Sequence, residues 1–187
     1  VDFQPADDRA LLSLFDDLEQ QAQGLALAQR DGEVLERLRD EYAEVDLLSR
    51  WHASVGREVV VSARGAGDLQ GVLGRVGADW CLLERTGWGP AGARVLVQLP
   101  LVTSVRGLAD SAQPAAARPV LARLRLTACL RRLAESGETH TLRLADGTVR
   151  TGCLGRVGSD FVEVWGEGAT VVVPLRATSC VVSGVAG

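Results

Sequence analysis

The side chains of this 187-residue chain with which chemistry could be done are two histidines, four cysteines, 24 carboxylates and 20 basic residues. Acid–base catalysis needs a histidine with a placed partner. His52 stands near the end of a helical stretch and His140 in a strand context, each without a companion in sequence. Cys81, Cys129, Cys153 and Cys180 lie far apart. They form no C-x-x-C pair, so the spacing of a zinc site is missing and reduced, buried thiols are expected. The glycine-rich run Gly71-Val72-Leu73-Gly74-Arg75-Val76-Gly77 lacks the lysine and hydroxyl of a phosphate-binding loop and fits a bent strand instead. Asp79 and Asp160 read as turn-capping residues. The pattern predicts no catalytic residue, no cofactor-binding residue and no metal site, hence no enzyme.

Lysine, isoleucine, asparagine and methionine are all absent, so every basic residue is arginine. These four have AT-rich codons, and the bias is that of a GC-rich bacterial genome, which explains the arginines as well as phosphate recognition would. Charge is uneven. Residues 1–54 carry 13 carboxylates and five arginines, net −8, and the remainder is +4. The most basic stretch has Arg118, Arg123, Arg125, Arg131 and Arg132, with no carboxylate from 111 to 134. These five are the candidate contacts to a partner or to nucleic acid, because each neutralised phosphate releases counterions. The competing expectation is a solvated helix face, or pairing with the acidic head.

The elements that must position these groups follow from periodicity. After Pro5, Leu11, Leu14, Phe15, Leu18, Ala22 and Leu25 recur at helical spacing, and Val34, Leu35, Leu38, Tyr42, Val45 and Leu48 continue it beyond a break near Gly32. One long helix or a hairpin would satisfy the pattern. From residue 44 onward the chain repeats itself. At an offset of 81, Gly71 to Trp80 aligns with Gly152 to Phe161, with seven of ten positions identical. After a gap, Val95-Leu96-Val97 matches Val171-Val172-Val173 at an offset of 76, so the first copy holds five extra residues around 86–92. Fixed-offset similarity is the sign of a duplicated structural unit.

Each copy predicts a short helix, at 44–53 and 127–136, and five strands. The first set lies near 58–63, 68–76, 80–84, 93–99 and 102–106. The second lies near 139–145, 148–157, 160–165, 169–174 and 178–182. Thr127 reads as an N-cap, Gly137 as a helix stop and Asp146-Gly147 as a hairpin turn. Gly71 and Gly152 are expected at the bend of the second strand.

A helix followed by Leu142-Arg143-Leu144-Ala145-Asp146-Gly147, then Val157-Gly158-Ser159-Asp160-Phe161, then Val171-Val172-Val173-Pro174-Leu175 resembles the Sm-like fold, including bacterial Hfq. The resemblance covers about 44–107 and 127–184; PRC-barrel and Tudor-like domains share the bent second strand and stay open as alternatives. It implies the two barrels and does not cover the N-terminal helix; with the helical head read from periodicity, the expected chain is α+β with four parts. These are an acidic helical segment (1–43), a first five-stranded Sm-like β-barrel with its leading helix (44–108), an Arg/Ala/Pro linker (109–126) and a second such barrel (127–187). The family holds RNA with an asparagine and a Tyr-Lys-His run. This chain has no asparagine, and Leu99-Pro100-Leu101 and Leu175-Arg176-Ala177 stand where that run would be.

The resulting expectation is a non-catalytic interaction or scaffold protein, without cofactor. It would engage a protein partner or self-associate through the N-terminal helices. A nucleic-acid-binding regulator using the arginine-rich stretch is the disfavoured alternative. Apolar runs such as Val171-Val172-Val173 fall far short of the roughly 18 residues of a membrane span, and a cytoplasmic location without membrane contact is expected.

Overall fold

The computed structural model describes residues 42–43, 45–84, 93–166 and 168–183. The chain divides into two units, 1–45 and 46–187. Of the first, only Tyr42, Ala43 and Val45 are described, with Tyr42 and Ala43 helical. The expected helical segment 1–43 otherwise lies outside the described residues, as does the loop at 86–92.

The second unit begins with a short helix, α1 (Leu47–Ala53), followed by β1 (Glu58–Ala63), β2 (Gly67–Val76), β3 (Trp80–Glu84), β4 (Arg94–Gln98) and β5 (Val102–Arg106). Short 3-10 turns lead into α2 (Leu126–Ser136). Then come β6 (Thr139–Leu144), β7 (Val149–Val157), β8 (Phe161–Gly166), β9 (Ala169–Pro174) and β10 (Thr178–Ser183). Local chemistry sets the boundaries. Asp46 Oδ1 accepts from the Ser49 amide at 2.5 Å and caps α1. Gly137, at φ +67°, ends α2 in the left-handed conformation that glycine adopts without penalty. The Asp146 carboxylate accepts from the Thr148 amide at 2.8 Å and closes the β6–β7 turn. Thr127 is not the N-cap: α2 starts one residue earlier, and its Leu126 amide donates to Asp79 Oδ1 at 2.6 Å, a cap reaching across 47 residues.

The fold class expected from sequence is corrected. All ten strands form one antiparallel sheet in the order β5-β1-β2-β3-β4-β10-β6-β7-β8-β9, not two closed Sm-like barrels, and the described part of the second unit is predominantly β, with α1 and α2 as its α-helices. A description by tandem small barrels therefore does not fit this open sheet, and the expected helical N-terminus lies outside the described residues apart from Tyr42 and Ala43. The reason lies at β4. Instead of turning back onto β5, it pairs with β10 in the register Cys180↔Val97, Val181↔Leu96, Val182↔Val95.

Side-chain alternation makes that junction strong. One core holds Trp51, Val59, Val61, Leu73, Leu83, Val95 and Val97 together with Cys180 and Val182 from β10. The other holds Leu126, Leu130, Leu142, Leu154, Val162, Val164 and Val181 together with Trp80 and Leu96 from β3 and β4. Both junction strands thus bury opposite faces in different cores. Each apolar Å² removed from water there contributes roughly 25 cal/mol, whereas β5 would offer β4 the polar Thr103 and Ser104 between Val102 and Val105. The β1–β2 turn adds polar contact: Arg64 O accepts from the Ser179 hydroxyl. The bends of β2 and β7 occur at register shifts beside Gly74 and Gly155, three residues beyond the expected Gly71 and Gly152.

Candidate functional site

The candidate arginines reach different partners. Arg118, its side chain 15% exposed, reaches α1, donates to the Ser49 hydroxyl at 2.7 Å and pairs with Asp46 at 3.2 Å. Two bonds from Ser49, with Arg118 beside it, hold the Asp46 carboxyl below the usual range. Arg125 pairs with Asp79 at 3.4 Å and Arg132 with Glu135 at 2.6 Å. Arg131 donates to the Gly158 carbonyl at 3.4 Å, and Arg123 is exposed. Arg118 therefore clamps the segment before α2 onto α1, while Arg125 flanks the Asp79 cap.

Of the groups of potential acid–base or nucleophilic use, both histidines, Cys81 and Cys180 are buried, whereas Cys129 and Cys153, expected as buried thiols, are half-buried. His52 is buried on α1. Burial first, and the Arg118 charge second, lower its pKa below 6.5, partly opposed by Asp46. His140 is buried with Nδ1 at 3.0 Å from Ser183 Oγ. Burial pushes the Cys129 thiol up to about 11, with Asp79 adding to the shift, and raises Cys81 further, so both keep their protons at neutral pH.

The surface that stands out is the outer edge of the sheet at β8 and β9. Val171 is 38% and Val172 58% exposed, whereas their repeat equivalents in β4, Val95 and Leu96, are 0% and 6% exposed under β10. Trp165 at the end of β8 is also exposed. Its indole lies over Gly155, where an added Cβ would come within 2.6 Å of Nε1 and displace the ring. In the first half Glu84 occupies the matching place over Gly74. The Trp165 side borders a groove of about 610 Å³ with Val149, Arg150, Val164 and Val171. At the other end of the sheet, a groove of about 310 Å³ between α1 and β5 is lined by Leu47, Leu48, Trp51, Leu99, Val102 and Val105.

Sequence reasoning missed these residues, although a signal was present. Three consecutive valines in one strand place apolar groups on both faces, the pattern of a strand covered on both sides; here it occupies an edge. No described helix is long and apolar enough to cross a membrane. No protein-family model matches the chain, and no curated protein matches it in sequence.

Proposed function

We propose that the chain is a non-catalytic interaction protein that takes up an extended protein segment as an additional strand along β9. The observation that carries this reading is the contrast between Val171 and Val172, exposed on β9, and Val95 and Leu96, buried where β10 covers β4. An exposed apolar edge strand offers backbone hydrogen bonds for affinity and side-chain sites for selectivity. Nucleic-acid binding draws less support, because Arg118, with its side chain 15% exposed, is held against Asp46 and Ser49 within the chain.

The test is selection of peptides from a random display library on the full-length protein, followed by hydrogen exchange with the selected peptides bound. The expected peptides protect β9 amides and lose binding to a Val172→Pro variant, which cannot donate from that position. Selected peptides that protect other strands, or bind the variant equally well, would overturn the reading.

A further inference from the structure

We infer that the groove between α2 and the β3–β4 face binds a small amphipathic monocarboxylate, a medium-chain fatty acid anion, with its chain against Leu82, Leu96 and Leu133 and its carboxylate on Arg94. Four strands separate β4 from β9, so this is a second site, independent of the strand addition proposed above.

The groove holds about 440 Å³. Small-molecule sites of this size are mostly apolar, with a few placed polar groups that fix orientation. Here the polarity is graded along the groove. At one end the Trp80 indole donates to the Leu124 carbonyl at 2.9 Å, joining β3 to the chain just after the 3-10 turn Val120–Arg123. Leu82 and Leu96, opposite each other in the register, form the middle. They share the lining with Ala128, Cys129 and Leu133 of α2. Burial keeps the Cys129 thiol protonated at neutral pH, so it adds no charge. Two residues before Leu96 on β4 stands Arg94, opposite Ser183 of β10, and both line the groove with Glu138.

Arg94 is exposed and forms no ion pair among the described residues, whereas Arg132 of α2 is paired with Glu135 at 2.6 Å. The register partner of Arg94, Glu84, leans over Gly74 of β2 instead. Ser183 supplies a second donor. Its hydroxyl lies 3.0 Å from His140 Nδ1, and His140 is fully buried, with Nε2 unpartnered among the described residues. A buried N–H without an acceptor costs more than an idle lone pair, which places the ring proton on Nδ1, donating to Ser183 Oγ. The serine's own proton can then be donated into the groove. An arginine and a hydroxyl side by side make charge-assisted hydrogen bonds to a carboxylate, and the leucines take the chain out of water. Glu138, the opposing charge at this end, favours a single negative charge over the two of a phosphate monoester.

The experiment is calorimetric titration of the full chain with decanoate below its micelle concentration, with decanol and decyl phosphate as comparison ligands. It is repeated on Arg94→Gln and Ala128→Leu variants whose melting curves match the wild type. Decanoate is expected to saturate one site, with decanol and decyl phosphate about tenfold weaker, the size of one lost charge-assisted bond. Arg94→Gln should bind decanoate about as weakly as the wild type binds decanol, and Ala128→Leu, which fills the middle of the groove, should lose both. Absence of saturable binding, decanol or decyl phosphate binding as tightly as decanoate, or unchanged affinity in either variant would overturn the inference. Should Ala128→Leu not keep its fold, alkylation of Cys129 in the wild type decides the location: decanoate is expected to slow it, and an equal rate with and without decanoate would overturn the placement in this groove.

Discussion

At the level of single residues, both histidines and one of the five candidate arginines are held within the fold. Arg118 is that arginine. An Arg118→Gln variant should lose about 1 kcal/mol of stability in chemical denaturation, the upper range for an ion pair with one exposed partner, whereas Arg123→Gln should lose nothing measurable. His52 makes stability depend on pH. Its folded-state pKa is lowered from 6.5, chiefly by burial, so just below pH 6.5 the unfolded chain binds more protons than the folded one. Stability is therefore full above about 6.5 and declines as pH falls through the folded value. Asp46, also lowered from its ordinary 3.8, loses its contribution only in more acidic solution. Denaturation at pH 7.5 and pH 5.5 should show the decline in wild type and a smaller one in His52→Gln; equal declines would assign the effect to other groups. The histidine's burial was not legible in sequence, because its neighbours Arg118 and Asp46 come from segments 72 residues apart.

At the level of elements, strand positions were readable because glycine turns and period-two alternation are local signals. All ten expected strands occur, with ends moved by a residue or so. The capping of α2 was not readable. Thr127 has the right side chain, but Asp79, brought alongside by the β4–β10 junction, takes the role. Asp79→Ala should cost about 1 kcal/mol, the usual loss of an N-cap, and Thr127→Ala much less, as compared by thermal melting. Leu130 of α2 is fully buried in the second core. Leu130→Ala should cost about 2–5 kcal/mol, from lost transfer energy and the space left behind.

For the whole molecule, the continuous sheet predicts that residues 46–187 melt as one cooperative unit, because β4 and β10 each contribute to both cores. Tryptophan fluorescence and far-ultraviolet dichroism should give coincident transitions, and Leu96→Asp should lower both together; two separated transitions would show that the halves are independent. Sequence by itself determined the duplication, the strand positions, the Asp146-Gly147 turn and the Gly137 helix stop, because these depend on residues adjacent in the chain or on comparison of the chain with itself. Only the tertiary structure decided that β4 turns to β10 rather than to β5, that Arg118 is a clamp, and that Val171 and Val172 lie at an outer edge. Periodicity tells a strand which of its faces are apolar but not which neighbour will cover them; that choice depends on the surface buried between segments far apart in sequence.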